Sequence, residues 1–216
     1  MKKRVITYID GFNLYYGLKE KGWKRYYWLD IQKLSESLIK PWQELIKVKY
    51  FTARISAGEK DTPDRIKHEM QEKQKRQTLF LEAILTLDKV SIFEGSYLPK
   101  TITCRKCGNT WFSPEEKMTD VNIATELLVD TYNNKFDTAL LISGDSDLVP
   151  PMRVLKANFP EKRVIIAFPP ARFSNELKSV SDGYFIIGES NLRKSVFPDQ
   201  VIKNNGYILE KPKEWS

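Results

Sequence analysis

The chain has 216 residues, 41% hydrophobic and 12% aromatic, which is enough to bury one sizeable core and excludes wholesale disorder. Lys and Arg outnumber Asp and Glu by 35 to 28, and the resulting net charge of +7 favours polyanionic partners, nucleic acid first. No apolar run approaches the roughly 20 residues of a bilayer span, and Asp10 ends the first apolar stretch too early for a secretory leader, so a cytoplasmic protein with no membrane partner is expected.

In chain order, residues 4–9 (RVITYI) read as a strand, 30–39 as a helix, 45–52 (LIKVKYFT) as a strand and 63–85 as a helix opened by Thr62-Pro63. Strand 90–93, helix 121–132, strand 138–142, helix 148–156, strand 163–168, helix 175–180 and strand 184–187 follow. Four of the strands are nearly unbroken apolar runs, the mark of parallel strands covered on both faces. The alternation predicts a three-layer α/β/α sandwich around a mainly parallel sheet, over residues 1–190. Two stretches break it. Residues 99–116 read as an inserted β-hairpin carrying the two cysteines. In 191–216, apolar triplets flank Asn204-Asn205-Gly206, a hairpin expected to hang on the sheet edge or meet a partner.

Ligands of a parallel sheet bind at the carboxyl ends of its strands, so the residues ending each strand matter most. The first strand ends in Ile9-Asp10-Gly11-Phe12-Asn13 and the fourth in Ser143-Gly144-Asp145-Ser146-Asp147, while Thr119-Asp120 opens a helix between them. Carboxylates gathered there repel one another unless a cation joins them, and an all-oxygen donor set suits Mg²⁺ or Mn²⁺. With a basic surface around such a site, a nucleic-acid phosphodiester is the natural substrate. Each acid also has a plainer use: Asp10-Gly11 as a turn, and Asn13, Asp120 or Asp147 as helix N-caps.

The segments YIDGFNLYYGL (8–18), TDVNIATELLVD (119–130) and LLISGDSDLVPPMRVLK (140–156) resemble the NYN domain, a PIN-like nuclease group that includes LabA/DUF88-type bacterial proteins. The resemblance runs over about residues 3–190. It implies a PIN-like fold and a Mg²⁺- or Mn²⁺-dependent endoribonuclease whose site is Asp10, Asn13, Asp120, Asp145 and Asp147. In that scheme Asp10 and Asp145 hold a first metal, and Asp120 and Asp147 hold a second or orient the attacking water. Asn13 and Ser143 would position a phosphate or a metal-bound water, and cleavage would leave 5′-phosphate and 3′-hydroxyl ends.

Cys104-Arg105-Lys106-Cys107-Gly108 has the shape of a zinc knuckle, yet Zn²⁺ wants four ligands and the sole histidine, His68, lies on another element. Four cysteines drawn from two chains would complete such a site and staple a homodimer; the alternatives are a metal-free hairpin or the remnant of a ribbon with Trp111 packed on it. Residues 15–28 (YYGLKEKGWKRYYW) set aromatics among cations, a mixture that suits single-stranded RNA. Trp23, Lys24 and Arg25 are the RNA-binding candidates there, whereas Tyr15, Tyr16 and Trp28 are assigned to the core or a dimer contact. The mixed charges of helix 63–85 read as a solvated face, and Arg172, after the strand 163–168, as a phosphate contact at the same sheet edge.

Two rival functions remain open. Haloacid-dehalogenase-like phosphatases also use strand-end aspartates and Mg²⁺, but their D-x-D opening needs an acid where Phe12 stands. A regulatory module that binds RNA or protein without turnover is the other.

Overall fold

Val5, Ile6, Tyr8 and Ile9 are all buried, although neighbours along a strand point to opposite faces. The first strand therefore lies between two hydrophobic layers. In the computed structural model, which describes residues 2–55, 64–98, 101–112 and 115–215, it is the centre of the molecule.

Strand β1 (Lys3–Asp10) runs directly into α1 (Gly11–Glu20). A 3₁₀ turn (Lys24–Tyr26), α2 (Ile31–Leu38), β2 (Gln43–Thr52), α3 (Asp64–Ile84) and β3 (Val90–Glu94) follow. Next come β4 (Ser96–Leu98), β5 (Thr101–Thr103), β6 (Thr110–Phe112), β7 (Glu115–Lys117), α4 (Thr119–Tyr132) and β8 (Thr138–Ile142). A second 3₁₀ turn (Ser146–Leu148) leads into α5 (Val149–Asn158), β9 (Arg163–Phe168), α6 (Asn175–Val180), β10 (Gly183–Ile186) and α7 (Glu189–Lys194). The chain closes with β11 (Gln200–Ile202), β12 (Ile208–Glu210) and a 3₁₀ turn (Lys213–Trp215).

Six strands form one sheet in the order β10-β9-β8-β1-β2-β3, every neighbouring pair parallel. One face packs Val5 and Ile9 against α1, α2, α3 and α7, through Leu14, Leu18, Leu34, Leu81 and Leu192. The other packs Ile6 and Tyr8 against α4, α5 and α6, through Ile123, Leu127, Leu155 and Leu177. The expected three-layer sandwich is thus the observed one.

Helix α1 is absent from the sequence reading. Its buried side consists of Gly11, Leu14, Gly17 and Leu18, two of them glycines, and the exposed aromatics beside them mask the helical period. The start assigned at Thr62-Pro63 lies outside the described residues. The cysteine insertion is a two-part antiparallel ribbon, β4 with β7 and β5 with β6, whose base pairs Ser96 with Lys117. The C-terminal hairpin does not hang free: Val201, Leu209 and Trp215 are buried against the α3 layer, with Trp215 edge-on to Tyr27 and Phe80.

Candidate active site

From β1 the chain builds the sheet outward through β2 and β3, then returns to β8 on β1's other side. The connections leaving β1 and β8 diverge, and the crevice at their carboxyl ends is where an open α/β sheet binds ligands. Ile9 lies in register with Ile142, so Asp10 and Ser143 emerge side by side.

Hydrogen bonds knit the two strand ends together. Asp10, only 3% exposed, caps α1: its Oδ1 accepts from the Asn13 backbone N–H at 2.9 Å. Its Oδ2 accepts from Asn13 Nδ2 at 2.9 Å and from Ser143 Oγ at 3.0 Å. Ser143 Oγ accepts from the Asp145 N–H at 3.0 Å, and Asn13 Oδ1 from the Gly144 N–H at 3.1 Å. Asp145 in turn caps the second 3₁₀ turn, accepting from the Asp147 N–H at 2.9 Å. Capping is therefore real but falls on Asp10 and Asp145, not on Asn13 and Asp147. Asp120 sits second in α4, whose N-cap Met118 makes no side-chain cap. Asn13 and Ser143 have their polar atoms engaged within this web, so they hold Asp10 rather than present free groups to a phosphate.

Gly11 is required by close approach: a Cβ there would lie 2.6 Å from Tyr50 Oη and 2.7 Å from the Phe51 carbonyl. That contact brings Tyr50 of β2 under the site.

The charges of these acids act on one another. Burial pushes the Asp120 carboxyl up to about 7, and the charges of Asp10, Asp145, Glu116 and Asp147 add to the shift. Burial also raises Asp10, against the pull of its bonds from Asn13 and Ser143 and with a further push from Asp145. Glu116 is raised by burial and then by Asp10 and Asp145, and the Tyr50 phenol by burial, Asp10 and Glu116. Among the described residues no Lys or Arg pairs with any of these acids.

Glu116 was missed in the sequence because it is distant from every motif; the ribbon's pairing of β7 with β4 delivers it. Its Oε1 is buried and meets no donor in good geometry, although the neighbouring Thr119 hydroxyl draws the carboxyl's proton affinity down. A buried carboxylate among these acids fits a hard divalent cation. Among the described residues, however, no three acidic, histidine or cysteine side chains already close on one point as a metal cage. Bonds from Asn13, Ser143 and the Asp147 N–H hold the acids in their capping geometry.

The other candidate residues divide differently from expectation. Trp23 leans on the core, edge-on to Tyr26, and Arg25 is held by Glu189 at 2.7 Å while lying over the Tyr26 ring. Only Lys24 of that trio is a free exposed group beside a cleft. Trp28 is fully buried as assigned, but Tyr15 and Tyr16 are 38% and 42% exposed, because they project from the outer side of α1. Arg172 does reach the sheet edge, where it packs on Gly144 and ion-pairs with Glu20. In the cysteine turn, the backbone N–H groups of Lys106 and Cys107 pull the Cys104 thiol down, the polarity of a knuckle. It supplies two ligands where tetrahedral zinc needs four, and His68 is exposed on α3.

A six-stranded parallel sheet with an acidic crevice at its switch point defines a PIN-like α/β domain. The NYN domain family model matches residues 4–192, so the chain belongs to that nuclease-type family. Among curated proteins it is 26% identical over 186 residues to a 6-hydroxy-3-succinoylpyridine 3-monooxygenase, HspA, of Pseudomonas putida. That match covers 72% of this chain but 56% of the relative, so the chain spans little more than half its length. Among solved structures, a protein of unknown function from Vibrio parahaemolyticus shares the fold, with a TM-score of 0.52 at 16% identity over 91% of this chain and 97% of that one. No helix among the described residues is long and apolar enough to cross a membrane.

Proposed function

We propose that the chain is a divalent-metal-dependent endoribonuclease acting in the cytoplasm. The carrying observation is a cluster of five acids, Asp10, Glu116, Asp120, Asp145 and Asp147, in which burial and neighbouring charge raise Asp10, Glu116 and Asp120 and which has no cation partner among the described residues. Asp10, Asp145 and Glu116 are the residues to hold Mg²⁺ or Mn²⁺, with Asp120 and Asp147 at the rim. When bound, such an ion neutralises phosphodiester charge and acidifies an attacking water.

The chain supplies the rest. Asn13 and Ser143 fix both oxygens of Asp10, so its remaining lone pairs are aimed before any ligand arrives. Asp120 and Asp147 orient the water for in-line attack on phosphorus, which leaves 5′-phosphate and 3′-hydroxyl ends. Arg172, tied to Glu20, shapes the wall beside Gly144 and is not a free phosphate clamp.

The test incubates purified protein with RNA and Mg²⁺ or Mn²⁺, beside an Asp145→Asn variant. Cleavage is expected to fall about 10²–10³-fold, the size of losing one directed electrostatic contact in a transition state. Equal cleavage by both proteins would remove this site from the reaction.

A second reading has one observation in its favour, namely the lack of a preformed metal cage among the described residues. A module that binds RNA without turnover would show tight binding and no metal-dependent product.

A further inference from the structure

Gly11 and Tyr50 have a second side. They also form the inner end of a cleft of about 390 Å³ between α1, the first 3₁₀ turn, α3 and Trp215. Its walls are a run of rings at contact spacing: Tyr15 and Tyr16 at 5.3 Å, Tyr15 and Tyr27 at 4.9 Å, Tyr27 and Trp215 at 5.7 Å. Most of that run is buried, but Tyr15 and Tyr16 keep more than a third of their surface open. Two neighbouring tyrosines left open in a recess, on a helix that otherwise buries its apolar side, ask for a planar partner.

The charge of the cleft narrows that partner. Lys19, Lys24 and Lys73 line it; none makes an ion pair among the described residues, and the Lys19 ammonium lies over the Tyr16 ring at 5.6 Å. Arg76 is matched by Glu214 at 3.1 Å, the one carboxylate of the lining. Aromatic faces with unpaired cations suit a flat base attached to a phosphate. The volume lies at the lower end of small-ligand sites, room for one nucleotide and not for a base pair. Since Gly11, which lines the cleft, directly follows Asp10, a nucleotide seated there would belong to the same strand as the phosphodiester at the acids.

We propose that this cleft is a nucleotide subsite that takes one unpaired base of the RNA strand beside the scissile phosphate, stacking it on Tyr16 with Tyr15 edge-on, so that the protein reads single strands and not duplexes. The substrate class rests on the ribonuclease reading; the subsite itself does not need turnover.

Binding of a short fluorescein-labelled single-stranded RNA, measured by anisotropy in EDTA, separates the two. Tyr16→Ala is expected to weaken it roughly tenfold, the typical loss for one stacked base, whereas Trp42→Ala, exposed at the opposite ends of the strands, leaves it unchanged. Lys24→Gln should lower the salt dependence of log Kd by about one contact. A matching duplex should bind no better to wild type than to Tyr16→Ala. Equal single-strand affinity of Tyr16→Ala and wild type overturns the subsite, even where wild type cleaves RNA. A Tyr16-dependent affinity in a protein that cleaves nothing upholds the subsite and removes the nuclease reading alone.

Discussion

Helix α4 carries two acidic clusters that the fold treats in opposite ways. Near its middle, Glu126 and Asp130 face Lys49 of β2, whose Nζ meets Glu126 at 2.6 Å and also pairs with Asp130. The Tyr8 hydroxyl donates to Asp130 at 2.7 Å, and its phenol is driven well up by burial and by the charges of Asp130 and Glu126. At the N-terminal end of the same helix, Asp120 stands with Asp10, Glu116, Asp145 and Asp147, with no such lysine among the described residues. Where acids serve the scaffold, the chain provides the cation that makes burial tolerable; where it leaves them unmatched, the charge is available to something from outside.

That contrast can be broken most forcefully at Lys49. Lys49→Met leaves the Asp130 carboxylate buried without its cation, with the Tyr8 hydroxyl still donating to it, and urea unfolding should show a loss of about 3–5 kcal/mol. A cost below about 1 kcal/mol would mean that the compensated cluster is not compensated at all. Glu116→Gln sharpens the other side: Mn²⁺ affinity by calorimetry should fall about tenfold, or roughly 1.4 kcal/mol, with the fold intact. Unchanged affinity would detach Glu116 from the site.

The smallest effect concerns pH. The Asp120 carboxyl is raised from 3.8 to about 7 in the folded chain, so between those values the native state holds a proton that the unfolded state has lost. The stability that Asp120 contributes in the metal-free protein is therefore full below about pH 4 and declines as pH rises to about 7. Asp120→Asn removes that decline. After allowance for solvent screening, the variant should be more stable by about 1 kcal/mol at alkaline pH, some 2–4 °C in Tm, and no different in acid. Mn²⁺ should reverse the order by stabilising only the wild type. A variant less stable than wild type at alkaline pH would mean that Asp120 feels no net repulsion.

The sheet was legible because parallel strands covered on both faces must be apolar throughout, as 138–142 and 163–168 are. Asp10, Asp145 and Asp147 were legible because they follow strand ends beside glycine and serine, and Asp120 because it opens a helix within a motif of recognisable spacing. Glu116 carried no such sign, since its place depends on a ribbon closing between β3 and α4. Nor did the exposure of Tyr15 and Tyr16: a tyrosine reads alike on either side of a helix, and two glycines obscured which side of α1 is buried.

By itself, then, the amino-acid order determined the alternating layers and the identity of four of the five clustered acids, since both follow from local patterning and from motifs of recognisable spacing. Tertiary structure alone decided which charges are matched and which are not, because Lys49 and Asp130 lie far apart in sequence and meet only across the packed sheet. It also decided that Trp215, from the last residues, closes an aromatic cleft whose other wall begins at the end of the first strand. Contacts of that range carry no local signature, since the chain-entropy cost of forming them is met only when the whole core assembles.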